Sequence, residues 1–302
     1  MRVLLVRAGA LGDLLLLRRA IAGLQRAGHE VGLLAPAGPG SALIGPGLSE
    51  ARNLTPWEDP GLAALLAGGP PEPRFAEAVE GYDLAVCYSR SVELADALAR
   101  LVPRVVSHPP LPPSAGPHAA VWCLTPVRDL VEDGPVPSLV PTAVETDHAR
   151  EILSRLPQGF PALHPGSGSP AKNWTLAGFA QVAMDWGGRG PWLLVLGPAD
   201  QERAAPLSGV PGAIVARTLP PRALAVLLAQ ASVYVGNDSG VTHLAAAAGA
   251  PTLSLFGPTD PALWAPIGTS VRVLRGRDAR VEAIGIEEVR EAIAGLRGTQ
   301  VG

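Results

Sequence analysis

The sequence is short of lysine, cysteine and long apolar runs. Lys172 is the single lysine beside 23 arginines, and the net charge is −3 without a run of like charges. A nucleic-acid partner is therefore not expected. The spacing of Cys87 and Cys123 indicates neither a disulfide framework nor a zinc site. No apolar run reaches the roughly 18 residues that span a bilayer, and the four apolar residues before Arg7 are too few for the apolar region of a signal peptide, so we expect a cytoplasmic protein.

Apolar residues are abundant, at 47% of the chain against 17% charged, with a mean hydropathy of +0.24. Such a composition excludes a disordered chain and fits parallel sheets that are buried on both faces. The length of 302 residues suggests two domains, since domains usually hold roughly 100 to 200 residues. An α/β enzyme is the resulting expectation.

Short apolar runs alternate along the chain with segments whose apolar residues recur at the period of a helix. This pattern predicts parallel, doubly wound sheets. Strands are predicted at 3–6, 31–35, 84–88, 104–107, 161–164, 193–196, 214–215, 233–235 and 252–256, and helices at 14–27, 92–101, 176–186, 222–231, 241–248 and 286–296. Residues 36–74 and 107–141 are rich in Gly and Pro and are predicted loops. A helix capped at Thr146 or Asp147 opens the second half. The predicted domains are therefore 1–145 and 146–302, with the last helix a candidate to pack back on the first domain.

A polar turn, Asn237-Asp238-Ser239-Gly240, separates a predicted strand from a predicted helix. Free N–H groups and the positive helix end favour a phosphate at such a turn, and Gly240 permits close approach. The alternative is an ordinary N-cap, with His243 a helix residue of no special role.

A second polar loop runs from His164 to Trp174 and contains Lys172. It lacks the Gly-Lys-Ser/Thr of a Walker A loop, yet an anion is its natural ligand. The alternative is a solvated loop with Lys172 as a surface charge. Because Arg has replaced Lys at nearly every basic position, the retained lysine favours the functional reading.

A third loop, residues 7–13, joins the first strand to the first helix and ends at Asp13. Its glycine spacing misses G-x-G-x-x-G, which weakens the case for an NAD-dependent dehydrogenase. Taken alone, Asp13 is best read as a helix cap. Together with a phosphate site in the facing domain, it becomes a candidate base at the edge of a sheet where substrates bind.

These three segments, together with residues 256–261 and Leu263-Trp264, resemble glycosyltransferase family 9, the heptosyltransferases of lipopolysaccharide core assembly. The resemblance runs almost continuously from His164 to about Gly268 and is otherwise clear only from Arg2 to about Leu24. It implies the α/β GT-B fold, in which two Rossmann-like doubly wound domains face each other across a cleft. It also implies an ADP-heptose donor, inversion at the anomeric carbon, and no metal or other cofactor.

The resemblance assigns roles to individual residues. Asp13 matches the proposed base and Lys172 a lysine that contacts the donor. Leu219 falls where an apolar side chain packs on adenine, and Asp200 where an acidic residue binds the ribose. The remaining donor residues that it implies are Ser167, Asp238, Ser239, Gly240 and His243.

The acceptor is less defined, because the first domain is short and holds no lysine for a phosphorylated lipid core. We expect a lipopolysaccharide-like or other glycan or glycolipid acceptor, with the protein peripheral at the inner face of the plasma membrane. Two alternatives remain open: a nucleotide-sugar epimerase and a catalytically idle sugar-nucleotide-binding protein.

Overall fold

The computed structural model describes residues 1–197, 200 and 204–298, apart from the side chains of residues 143, 144, 146 and 148. The chain divides into two compact units, Met1–Val140 and Pro141–Gly302. The boundary predicted after residue 145 lies inside the first helix of the second unit.

The first unit is built on one parallel sheet. Its strands are β1 (Arg2–Val6), β2 (Glu30–Ala35), β3 (Asn53–Pro56), β4 (Leu84–Tyr88) and β5 (Val105–His108). Its helices are α1 (Leu11–Leu15), α2 (Arg18–Arg26), α3 (Ala37–Gly40), α4 (Pro60–Leu66), α5 (Pro73–Val79), α6 (Val92–Leu98) and α7 (Ala119–Leu124). The strand order is β3-β2-β1-β4-β5. The chain adds β2 and β3 on one side of β1 and β4 and β5 on the other, so the switch point of the sheet lies between β1 and β4. Ligands bind α/β sheets at such switch points, outside the carboxyl ends of the strands.

The second unit repeats this plan with a six-stranded parallel sheet in its described part. Its strands are β6 (Pro161–His164), β7 (Trp192–Leu196), β8 (Ala213–Arg217), β9 (Val233–Asn237), β10 (Thr252–Phe256) and β11 (Val271–Arg275). Its helices are α8 (Ala143–Leu153), α9 (Leu176–Gly187), α10 (Pro221–Ala229), α11 (Gly240–Ala248), α12 (Pro261–Trp264) and α13 (Ile286–Gly298). The order β11-β10-β9-β6-β7-β8 puts the switch point between β6 and β9.

Buried apolar strands and helix faces hold each sheet in place. In the second unit, α13 packs against α9 and against β9, β10 and β11. Trp174, Phe179 and Trp192 lie in the core between these elements and are almost fully buried. The α/β fold class with two doubly wound parallel sheets is thus confirmed.

Helix α8 enters the second unit through a charged cap. The main-chain N–H of Thr142 donates to Glu145 Oε2 at 2.5 Å, and Glu145 pairs with Arg222 of α10. This acidic residue near the helix start also interacts favourably with the helix dipole. The prediction of a cap at Thr146 or Asp147 was wrong, because the helix begins at Ala143.

In the first unit, three further segments differ from the sequence-based prediction. The helix after β1 begins at Leu11 instead of Leu14, so Asp13 lies in its first turn. The predicted loop 36–74 contains β3 and α4, and the predicted loop 107–141 contains α7. In the described ranges, no helix combines the length and apolar character needed to cross a membrane.

Candidate functional site

Loops that follow three adjacent strands of the second sheet meet at the carboxylate of Asp238. Asp238 follows β9, Lys172 belongs to the loop after β6, and Thr259 to the loop after β10. Lys172 Nζ donates to Asp238 Oδ2 at 2.7 Å, and Thr259 Oγ1 donates to the same oxygen at 2.5 Å. This cluster lies at the switch point of the sheet. An ammonium group is therefore held in place where α/β folds bind ligands.

Asn237, the last residue of β9, holds the loop that carries Lys172 and is fully buried. Its Oδ1 accepts the main-chain N–H of Trp174 at 2.9 Å, and its Nδ2 donates to the Pro165 carbonyl at 2.8 Å. Trp174 is also buried and its indole N–H donates to the Ile284 carbonyl at 3.0 Å. The loop that carries Lys172 is thus fastened at both ends.

Helix α11 begins beside Asp238, with Ser239 as its N-cap. Ser239 Oγ accepts the main-chain N–H of Thr242 at 3.3 Å. The N–H groups of Gly240 and Val241 lie in the first turn, where a helix offers them no acceptor. Free N–H groups and the positive end of a helix dipole are features that favour an anion, and here they adjoin Asp238, which contacts Lys172. Asp238 itself is not the cap, because its carboxylate faces Lys172 and Thr259.

The other predicted donor residues are engaged in separate contacts. Ser167 Oγ donates to the Ser169 carbonyl at 2.7 Å. Asp200 is 7% exposed, and a Cβ added to Gly166 would lie 2.1 Å from its carboxylate. Leu219 is half-buried and follows β8, while His243 lies buried in the first turns of α11. Their roles at ribose, adenine and diphosphate stay predictions.

Asp13 lies at the carboxyl edge of the first sheet, after β1. Its Oδ2 accepts the Ala10 N–H at 3.1 Å, and its Oδ1 is 3.5 Å from Nη2 of Arg7. Its side chain is 32% exposed, whereas that of Arg7 is 1% exposed. Asp13 is thus not the N-cap, which is Ala10, but the third residue of the helix; its carboxylate accepts the N-cap N–H and stays partly accessible.

Neutral groups hold the buried guanidinium of Arg7 in place beside Asp13. Its guanidinium donates to Cys123 Sγ at 2.8 Å and to the Pro110 carbonyl at 3.1 Å, and it lies over the Tyr88 ring. Burial raises the pKa of Tyr88 well above its ordinary value, and it raises the pKa of the Cys123 thiol. Both groups stay neutral near pH 7, so neither competes with Asp13 as an anionic partner of Arg7.

Three residues of these arrangements escaped the sequence-based prediction. Thr259 stands in residues 256–261, which carry part of the family resemblance, and this resemblance could have indicated that it belongs to the site. Asn237 stands in the predicted phosphate turn, but its side chain faces inward to the loop. Arg7 is the first residue after β1, and nothing in the sequence indicated that it is buried. In the described ranges, no group of three His, Cys, Asp or Glu residues has the arrangement of a metal site.

The chain is similar in sequence to known heptosyltransferases. A curated relative, lipopolysaccharide heptosyltransferase 1 of Pseudomonas aeruginosa, is 38% identical over 130 residues, which are 40% of this chain and 36% of that protein. The chain thus matches about a third of the relative's length.

Solved structures cover the whole fold at lower identity. A family 9 glycosyltransferase from Veillonella parvula matches with a TM-score of 0.83 and 19% identity, over 99% of this chain and 97% of that one. The ADP-heptose lipopolysaccharide heptosyltransferase II of E. coli matches with a TM-score of 0.81 and 19% identity over all of both chains. The model of glycosyltransferase family 9 (heptosyltransferase) matches residues 128–289, more than half of the sequence. The chain belongs to glycosyltransferase family 9.

Proposed function

We propose that this protein transfers a sugar from an ADP-sugar to a hydroxyl group of a glycan acceptor, with inversion at the anomeric carbon, and that the sugar is a heptose. Family membership and relatives named as heptosyltransferases support this proposal. The observation that carries it is the placement of Lys172 beside Asp238 and the start of α11.

This cluster is suited to a leaving diphosphate. A lysine ammonium has three N–H donors, and Asp238 takes one, which leaves two for phosphate oxygens. The N–H groups of Gly240 and Val241 add donors that need no reorganisation as negative charge develops. Together they supply the electrostatic stabilisation that a divalent ion supplies in other transferases, so we propose metal-independent transfer.

Asp13 is the proposed general base. It would accept the proton of the acceptor hydroxyl as that oxygen attacks the anomeric carbon and the diphosphate leaves from the opposite face. Its hydrogen bond from Ala10 and the nearby Arg7 guanidinium hold the carboxylate in one orientation.

A lipopolysaccharide-like or other glycan acceptor, bound at the inner face of the membrane, completes the proposal. Its support is the family alone. The first unit contains no lysine, so recognition of acceptor phosphates there would fall to arginine.

Binding of ADP tests the donor site. We predict that Lys172→Ala weakens ADP binding about tenfold to a hundredfold, because a hydrogen bond to a charged group contributes about 1.5 to 3 kcal/mol. Calorimetric titration of both proteins measures this difference. Lys172→Arg is the matched control, which retains the charge in a different geometry. Unchanged ADP affinity in Lys172→Ala would contradict the site.

Product analysis separates the proposal from its alternatives. Incubation with ADP-heptose and a glycan acceptor, with and without EDTA, should yield free ADP and a glycoside of inverted configuration by NMR. An altered nucleotide sugar without acceptor consumption would indicate an epimerase, and tight binding without turnover would indicate an idle protein.

A further inference from the structure

Helices α9 and α13 of the second unit enclose a groove that the proposed function does not use. Its larger part has a cavity volume of about 450 Å³ and adjoins a smaller one of about 170 Å³. The two share Trp186, Arg189 and Arg297. The smaller part is also lined by Pro161 and Pro191, which stand at the amino ends of β6 and β7. The groove therefore lies at the opposite edge of the sheet from Lys172 and Asp238.

The positive charge of this groove is only partly neutralised. Arg290 is paired with Asp185 at 2.8 Å and with Glu287 at 2.6 Å. Arg189 and Arg297 have no carboxylate within ion-pair distance among the described residues. Nε of Arg297 is buried and has no hydrogen-bond partner in the part of the chain that the structure describes. Two cationic groups thus line one groove.

The two arginines also act on each other. Burial lowers the pKa of Arg297, and the positive charge of Arg189 lowers it further. Both residues stand near helix C-termini, Arg297 in the last turn of α13 and Arg189 just after α9, where a cation interacts well with the helix dipole. That interaction accounts for their charge but not for their placement on the same groove. An anion between them relieves the repulsion and accepts hydrogen bonds from the accessible guanidinium N–H groups.

Apart from the paired Asp185 and Arg290, the rest of the groove is lined by apolar residues. Trp186 is 5% exposed, and Val182 and Ile293 are similarly buried, so their accessible atoms form the floor. The volume is within the range of small-molecule sites, about 300 to 1,000 Å³. We propose that this groove binds a phosphate group attached to an apolar or ring-shaped body, with the phosphate between Arg189 and Arg297 and the body on Trp186. The source is a free phosphorylated molecule or a lipid headgroup.

Phenyl phosphate carries both features and is the probe. Titrated calorimetrically into the full chain, it should bind saturably, and Arg189→Gln and Arg297→Gln should each raise its Kd at least about tenfold. Arg74→Gln, which removes an exposed arginine of the first unit, is the matched control and should leave the Kd unchanged. If Arg297→Gln does not fold, Arg297→Lys carries the test, because lysine keeps the charge but loses the planar guanidinium. For that variant too we expect weaker binding.

Two further measurements identify the site and the source. ADP affinity should be the same in the Arg189 and Arg297 variants as in the wild type, and Lys172→Ala should still bind phenyl phosphate. Loss of phenyl phosphate in Lys172→Ala would place the probe in the proposed donor site and overturn the groove. If the protein sediments with phosphatidic-acid vesicles and Arg189→Gln abolishes this sedimentation, the ligand is a lipid headgroup. If the protein binds phenyl phosphate but not the vesicles, the ligand is a free molecule. No saturable binding of phenyl phosphate or inorganic phosphate up to about 10 mM would also overturn the proposal.

Discussion

Two donors share the carboxylate of Asp13: the Ala10 N–H binds Oδ2, and the Arg7 guanidinium lies near Oδ1. We predict that Asp13→Asn lowers the rate of transfer by about 10² to 10⁴, the usual effect of losing a positioned base. ADP affinity should stay unchanged. Rates measured at saturating donor test this, and a variant that retains more than about a tenth of the activity would return Asp13 to the role of a cap.

The same substitution has a structural cost beyond the hydrogen bond with Ala10. An asparagine oxygen can still accept the Ala10 N–H, but the substitution removes the one carboxylate within ion-pair range of the buried Arg7 guanidinium, as far as the described residues extend. We therefore expect a modest fall in melting temperature. Asp13→Glu is the control, because it keeps the charge while it displaces the carboxylate.

Among the elements, Asn237 connects β9 to the loop that carries Lys172. We predict that Asn237→Ala destabilises the protein by about 1 to 3 kcal/mol, because it leaves the buried N–H of Trp174 and the carbonyl of Pro165 without partners. ADP binding should weaken as well, since Lys172 is no longer held in place. Denaturant unfolding and ADP titration measure the two effects.

The exposed Asn53, at the start of β3, provides a matched control, because Asn53→Ala should change neither property. Equal stability of Asn237→Ala and the wild type would mean that the loop is held by Trp174 packing alone.

How well an element could be predicted depended on its residues. The turn 237–240 and α11 were predictable, because an apolar strand precedes them and Gly249, with φ of +94°, ends the helix. Helices α4 and α5 were missed since their Pro60 and Pro73 were read as loop residues, although proline is well suited to the first turn of a helix. In the candidate site, Lys172 and Asp238 could be named from the sequence because they stand in motifs. The burial of Arg7 could not be predicted, because it depends on contacts with residues more than 100 positions away in the chain.

For the whole molecule, Glu145 links stability to pH. Burial alone would raise its pKa, but the hydrogen bonds from Arg222 and Thr142 outweigh burial, and the pKa is lowered. A carboxyl whose pKa is lower in the folded state stabilises the fold above its unfolded pKa, about 4.3 for Glu, and loses that effect as pH falls through the folded value. Glu145→Gln should therefore be less stable than the wild type at pH 7, by about 1.5 to 3 kcal/mol.

This difference should shrink as the pH falls below about 4.3. Urea unfolding at pH 7 and at lower pH compares the two proteins, with the exposed Glu77→Gln as control. A difference that is independent of pH would show that the side chain acts through packing instead of charge.

The single lysine of the chain also makes the proposed donor site chemically addressable. The Lys172 side chain is 29% exposed although its Nζ contacts Asp238, so an acylating reagent will modify one side-chain amine among the 302 residues. Mass spectrometry then reports occupancy of one position without interference from other lysines. ADP should protect Lys172 from acylation, whereas phenyl phosphate bound between α9 and α13 should leave its modification rate unchanged. One reagent thus reports occupancy of the proposed donor site in the unmutated protein and shows whether phenyl phosphate competes for it.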